Sequence, residues 1–165
     1  MREVKEWTVD TWVLYKADDF LRGKEGGLYE AVAFLILVGE AHQVAFDSPP
    51  AGRDKGHIAS EYERCLQRRQ SRFLGEWVKR LRQRKAQVFH SGKLDDRHVQ
   101  ALSTLEFDRS DLPFVAVAFR SKDKLLVSED SDYTQHVCGY LQQQLQVKVL
   151  SLSQALKLAE DTQDP

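Results

Sequence analysis

The chain lacks the long hydrophobic runs and the charge imbalance that would assign it to a membrane or to a polyanionic partner. Its longest apolar run, residues 31–38, has eight residues, whereas a membrane span needs about 20. The N-terminal segment MREVKEW contains no apolar stretch of the kind found in signal peptides. The 24 basic and 25 acidic residues nearly cancel, so net charge indicates no class of partner. We therefore expect a soluble, cytoplasmic protein that does not associate with a membrane.

Several motifs of catalysis and metal binding are also missing. The two cysteines, Cys65 and Cys138, form no C-x-x-C pair, which favours small core residues in a reducing compartment. The five histidines lack the spacing of zinc ligands. The glycines around Lys24 do not follow the order of a phosphate-binding loop, and no G-x-S-x-G elbow occurs. These absences disfavour zinc, nucleotide-loop and acyl-enzyme chemistry.

The distribution of apolar residues predicts one α/β domain, over residues 1–160, with a flexible tail at 161–165. Short strands are predicted at 7–10, 43–46, 125–128 and 147–150. Helices are predicted between and after them, at 11–21, 28–41, 57–70, 73–86, 95–105, 112–119, 133–144 and 152–159. Such alternation indicates a three-layer α/β/α sandwich with a central, mostly parallel sheet.

Acidic residues are predicted to meet at one edge of this sheet, because ligands of parallel sheets collect at the carboxyl ends of the strands. Asp10 ends the first predicted strand. Asp111 begins the helix at 112–119, and Asp130 follows the strand at 125–128. That helix and that strand are each about 13 Å long, so an antiparallel return brings Asp111 and Asp130 to the same edge. Glu61, beside the apolar face of its helix, is the fourth candidate.

Clustered carboxylates require compensation. At an effective dielectric near 20, two like charges about 4 Å apart repel by about 4 kcal/mol. A raised pKa, a basic neighbour or a bound cation relieves this repulsion. Ligands that are all oxygen favour Mg²⁺ or Mn²⁺, and such an ion activates water and neutralises a phosphodiester during hydrolysis. Each acid also has a structural alternative: Asp10 and Asp111 as caps of helix N-termini, and Glu61 and Asp130 as solvated surface residues.

These segments resemble, in order, the motifs of PIN-domain nucleases. The resemblance is carried by Val-Asp-Thr at 9–11, Ile-Ala-Ser-Glu-Tyr at 58–62, Asp-Leu-Pro-Phe-Val-Ala-Val-Ala at 111–118 and Leu-Val-Ser-Glu-Asp-Ser-Asp-Tyr at 126–133. Together with the segment 147–156, they span nearly the whole chain. The resemblance implies an α/β/α fold and a metal-dependent nuclease, usually acting on RNA. It also implies that Asp10, Glu61, Asp111 and Asp130 are metal ligands, directly or through water, and that Ser128 steadies the last acid.

The register of these motifs leaves alternatives open. Asp132 alternates with Asp130 along the loop and is a further candidate ligand, while Asp108 is the nearest substitute for Asp111. Thr11, next to Asp10, is expected to support the site. Other acids compete for the same places in the sequence. Glu129 is the neighbour of Asp130, and Glu40 and Asp47 are rivals of Glu61 near the end of the second strand.

A basic segment follows the second acid. From 64 to 85, nine of 22 residues are lysine or arginine, and Glu76 is the only acid. Such an asymmetric field suits contacts with phosphates, although a solvated helix face is the structural alternative. The candidate nucleic-acid-binding residues are Arg68, Arg69, Arg72, Lys79, Arg80, Arg82 and Arg84.

The combined prediction is an endoribonuclease that hydrolyses single-stranded RNA with Mg²⁺ or Mn²⁺. A toxin controlled by a cognate antitoxin is one biological setting for it. Another regulatory protein or a second copy of the chain is a further candidate partner. The alternative from a different class is a non-catalytic module of the same fold that binds RNA or a partner protein.

Overall fold

The computed structural model describes residues 3–161, which form a single sheet flanked by helices. The strands are β1 (Glu6–Val9), β2 (Gln43–Asp47), β3 (Gln87–His90), β4 (Leu125–Val127) and β5 (Lys148–Leu150). The helices are α1 (Thr11–Leu21), α2 (Tyr29–Ala41), α3 (His57–Arg69), α4 (Arg72–Gln83), α5 (Asp96–Thr104), α6 (Leu112–Arg120), α7 (Gln135–Leu145) and α8 (Leu152–Asp161). A short 3-10 turn at Arg109–Asp111 precedes α6.

The sheet is parallel throughout, with strand order β3-β2-β1-β4-β5. The chain moves outward from β1 to β3, then crosses to β4 on the other side of β1. The strand order therefore reverses between β1 and β4, where α/β sheets form a crevice. In the β1–β4 register, Val9 lies opposite Val127, so Asp10 and Ser128 leave the sheet as neighbours. The predicted three-layer α/β/α sandwich is confirmed.

The helices pack on the sheet through apolar surfaces that the sequence pattern predicts. In α2, the side chains of Ala31, Phe34, Leu35 and Val38 are fully buried, as expected for a helix that is apolar nearly all round. In α6, every residue from Phe114 to Ala118 is fully buried, and the helix packs across β1, β2, β3 and β4. This packing fixes the start of α6, and with it Asp111, at the carboxyl edge of the sheet.

Three features differ from the sequence-based expectation. Strand β3 was missed, because it is a half-buried edge strand whose end residues, Gln87 and His90, give it no apolar run. The helix predicted at 73–86 ends at Gln83, which leaves room for that strand. Asp161, expected in the tail, is the last residue of α8, and 162–165 lie outside the described residues. Within residues 3–161, no helix is long and apolar enough to cross a membrane.

Candidate functional site

A cleft of about 450 Å³ opens at the carboxyl ends of β1 and β4, where the strand order reverses. Its acidic residues include Asp10, Glu61, Asp111 and Asp130, the four acids predicted from the sequence. The remaining lining residues are Thr11, Trp12, Tyr15, Lys16, Asp19, Arg64, Arg68 and Arg69. We call this the acidic cleft. Residues from four separate segments of the chain therefore converge on one place.

Asp10 lies at the buried end of the acidic cleft, with 5% of its surface exposed. Its backbone N–H donates to Val127 O (3.1 Å), which extends the β1–β4 ladder by one residue. The Ser128 hydroxyl donates to Asp10 Oδ2 at 2.6 Å. Burial raises the pKa of Asp10 to about 6, and the charges of Asp130 and Glu61 act in the same direction. Asp10 occupies the residue before α1, but its side chain makes no cap hydrogen bond to that helix.

Ser128 links the two loops that carry Asp10 and Asp130. While donating to Asp10, its hydroxyl accepts a hydrogen bond from the backbone N–H of Asp130 at 3.1 Å. Asp130 Oδ1 in turn accepts from the backbone N–H of Asp132 at 3.0 Å. Ser128 therefore holds the carboxylate of Asp10 and the backbone of Asp130, rather than the carboxylate of Asp130.

Glu61 is positioned by contacts between α3 and the end of β1. The hydroxyl of the adjacent Tyr62 donates to the carbonyl of Val9, which ties α3 to β1 one residue before Asp10. Thr11 Oγ1 donates to Glu61 Oε2 at 2.8 Å, as its predicted supporting role requires. His57 Nε2 lies 3.1 Å from Glu61 Oε1, although the two are not aligned as a hydrogen bond. The carboxylate of Glu61 is thus held beside Thr11 at the wall of the acidic cleft, with 20% of its side chain exposed.

Asp111 joins a second group of carboxylates at the outer part of the site. Oxygens of Asp108, Asp111 and Asp132 lie within 4.8 Å of one another, and these three residues could hold a metal ion. Burial raises the pKa of Asp111 to about 8, and the nearby Asp10, Asp132 and Asp108 add to the effect. Asp111 thus interacts electrostatically with both Asp10 and the outer pair.

The capping prediction for Asp111 needs correction. Asp111 occupies the residue before α6, but its side chain makes no cap hydrogen bond. Asp108 does the capping instead, for the preceding 3-10 turn. Its Oδ1 accepts from the backbone N–H and from the hydroxyl of Ser110, both at 2.9 Å. These bonds hold the pKa of Asp108 below its ordinary value. The carboxylate of Asp111 is consequently left available to the cleft.

Tyr133 was not anticipated as part of the site. Its hydroxyl is buried and has no hydrogen-bond partner among the described residues. Burial and the charges of Asp10, Asp111, Asp130 and Asp132 raise the pKa of this phenol well above its ordinary value. A buried hydroxyl without a hydrogen-bond partner is an unusual feature of a folded protein. The signal available in the sequence was its place directly after Asp132.

Of the three acids that competed with these four, Asp47 and Glu129 have structural roles. Asp47 accepts hydrogen bonds from the first backbone N–H groups of α3, at His57 (2.6 Å) and Ile58 (2.8 Å). A Cβ on Gly56 would lie 2.6 Å from Asp47 Oδ2, so glycine is required for this close approach. Glu129 Oε2 accepts from Leu152 N at the start of α8 (3.0 Å). Glu40 is exposed in α2, just before β2, and the expectation that it lies near the end of that strand is wrong.

The predicted basic residues divide into those that reach the acidic cleft and those that do not. Arg68 and Arg69 line it, together with Arg64. Arg69 donates to Asp19 at 2.6 Å and lies over the ring of Tyr15, which fastens α3 to α1. Arg72, Lys79, Arg80 and Arg82 are exposed on α4 and do not line the acidic cleft.

Arg84 is engaged elsewhere. Its guanidinium donates to the backbone carbonyls of Gly39 (2.6 Å) and His42 (3.2 Å) at the C-terminal end of α2. Burial lowers its pKa from the ordinary value. The arrangement completes hydrogen bonds that a helix end would otherwise leave unsatisfied. The sequence-based assignment of Arg84 to nucleic-acid binding is not supported by this position.

Comparison with known proteins adds no relative: no protein-family model matches the chain, and no curated protein or solved structure matches it. The functional assignment therefore depends on the chemistry of the acidic cleft and on the resemblance of its motifs.

Proposed function

We propose that this protein is a PIN-like endoribonuclease that hydrolyses RNA with Mg²⁺ or Mn²⁺ held in the acidic cleft. The observation that carries the proposal is the convergence of Asp10, Glu61, Asp111 and Asp130 at the point where the strand order reverses. Two of these carboxyls have raised pKa values, about 6 for Asp10 and about 8 for Asp111. Perturbed carboxyls that gather in a cleft are a common mark of a functional site.

The donor set suits a hard divalent cation. All candidate ligands are carboxylate oxygens, with no thiolate among them, and Mg²⁺ and Mn²⁺ prefer such oxygens. Among the described residues, the group whose oxygens lie close enough to hold one ion is Asp108, Asp111 and Asp132. Asp111 would therefore be the central ligand. Asp10, Glu61 and Asp130 line the same cleft and would hold the ion directly or through water. When bound, the ion supplies activation of water and neutralisation of charge on the scissile phosphate.

The chain itself contributes orientation and binding. Ser128 fixes the carboxylate of Asp10, and Thr11 fixes that of Glu61, so both acids are held before substrate arrives. Arg64 and Arg68 are exposed along the wall of the cleft and make no ion pair among the described residues. They are available for phosphate oxygens of the strand.

The test is cleavage of a fluorescently labelled single-stranded RNA, with and without EDTA. The wild type is expected to cut in Mg²⁺ or Mn²⁺ and to stop in EDTA. Asp10→Asn and Asp111→Asn should each lower the rate by about 100-fold or more while the protein stays folded, because each removes a carboxylate that would hold the ion. Glu40→Gln, an exposed acid at the opposite edge of the sheet, is the matched control and should cut at the wild-type rate.

Two results would overturn the proposal. The first is cleavage that continues in EDTA or in the Asp10→Asn/Asp111→Asn double variant. The second is RNA binding without any cleavage across Mg²⁺ and Mn²⁺ concentrations, which would favour the non-catalytic module instead.

A further inference from the structure

A second cleft, of about 630 Å³, lies beside the acidic cleft at the carboxyl ends of β2 and β3. It is lined by the loop after β2, the first turns of α3 and the loop after β3. Its cationic residues are Arg53, Lys55, Arg64 and Lys93, and the hydroxyl residues Ser48, Ser60 and Ser91 lie between them. We call this the basic cleft. Neither Arg53 nor Lys93 belongs to the basic segment at residues 64–85.

Most of this positive charge is uncompensated. Lys55 pairs with Glu63, but Arg53, Arg64 and Lys93 form no ion pair with any described residue. Among the described residues, Asp47 is the only acid that lines the basic cleft. It is buried, and its carboxylate oxygens accept hydrogen bonds from the backbone N–H groups of His57 and Ile58. The basic cleft therefore presents a concave surface with three free cations contributed by three separate segments.

The two clefts are continuous along α3. Arg64 lines both of them. His57 lines the basic cleft, and its Nε2 lies 3.1 Å from Glu61 Oε1 in the acidic cleft. One helical turn separates Arg64 from Ser60 on one side and from Arg68 on the other, a rise of about 6 Å in each direction. A polyanion that follows this face of α3 passes directly from the free cations to the carboxylates.

We propose that the basic cleft binds the phosphodiester backbone of single-stranded RNA adjacent to the bond placed in the acidic cleft. The inference rests on the proposed function for the identity of the polyanion. Its basis is the shared Arg64 and the free cations Arg53 and Lys93. An extended single strand presents successive phosphates that a groove of this kind follows without reading the bases.

The test measures binding without catalysis. Fluorescence anisotropy of a labelled 12-nucleotide single-stranded RNA is recorded in EDTA, with the Asp10→Asn variant as the background. Arg53→Gln/Lys93→Gln is then added to that background. Removing two phosphate contacts should flatten the slope of log K against log salt by about 1.4. The factor by which binding weakens between 50 and 200 mM salt should therefore be about sevenfold smaller than in the background.

The matched control is Arg97→Gln/Lys157→Gln, which removes the same charge from exposed positions that line neither cleft. It should leave the salt slope close to that of the background. The proposal is overturned if Arg53→Gln/Lys93→Gln binds like the background, or if the control lowers affinity as much.

The binding assay also separates this inference from the nuclease assignment. Metal-dependent cleavage by the wild type, together with unchanged binding by the Arg53→Gln/Lys93→Gln variant, would contradict the basic cleft alone. Weakened binding by that variant without any cleavage by the wild type would contradict the nuclease and support the basic cleft.

Discussion

Replacing Asp10 by Asn should stabilise the metal-free protein at alkaline pH. The Asp10 carboxyl is buried at 5% exposure, and its pKa is raised to about 6 from an ordinary 3.8. A raised pKa means that the folded protein binds this proton more tightly than the unfolded chain does. The resulting stabilisation is fully present below about pH 4 and is lost as the pH rises through 6. At pH 8 the ionised carboxylate therefore costs up to about 3 kcal/mol. The amide of Asn carries no charge and still accepts the hydrogen bond from Ser128.

Thermal unfolding in EDTA, followed by circular dichroism from pH 4 to pH 8, measures this effect. For a chain of this size, about 3 kcal/mol corresponds to about 6–12 °C in Tm. The variant should exceed the wild type by up to that amount at pH 8, and the two should converge towards pH 4. Saturating Mg²⁺ should raise the Tm of the wild type more than that of the variant, because the ion compensates the charge that Asn lacks.

Glu25→Gln serves as the control, since Glu25 is exposed, lies outside the acidic cleft and makes no ion pair among the described residues. Its Tm should follow the wild type at every pH. A wild type that is as stable as Asp10→Asn at pH 8 in EDTA would refute the reasoning. That result would mean that the acidic cleft already compensates Asp10 without a cation.

Two further predictions concern residues that the structure assigns to stability. Arg84→Ala should lower the free energy of unfolding by about 1–3 kcal/mol in urea titrations, because carbonyls at the end of α2 lose their donor; a stable variant with weakened RNA binding would contradict this role. Asp47→Ala should cost about 1–2 kcal/mol by the same measurement, since two N–H groups at the start of α3 lose their acceptor, and an unchanged midpoint would contradict it.

Much of the fold followed from local patterns. The all-apolar α2, the Asp-Leu-Pro start of α6 and the short apolar strands each have a strong periodic or terminal signal, and the structure places them within a few residues of the predicted bounds. Strand β3 escaped because its side chains are half-buried and its ends are polar. An edge strand pairs with one neighbour only, and the pattern of four residues does not indicate which strand that neighbour is.

The candidate site was predictable where an acid ends a strand and unpredictable where contacts between distant segments decide its role. Asp10 and Asp130 follow strands, so the parallel sheet alone brings them together. Asp47 also ends a strand, yet it caps α3, and Glu129 caps α8. Only the positions of the helix N–H groups distinguish these acids from the ones that face the cleft. The spacing of four residues between His57 and Glu61 predicts that they lie close together on a helix. It does not predict that the charge of Glu61 acts on Asp10, which depends on how α3 packs.

Anomalous scattering from crystals soaked in Mn²⁺ would test the central claim most directly. The predicted result is a peak in the acidic cleft, about 2.1 Å from carboxylate oxygens of Asp10 or Asp111, that disappears in Asp10→Asn/Asp111→Asn crystals. A cleft without a peak at saturating Mn²⁺, or a peak held only by residues outside it, would contradict the account.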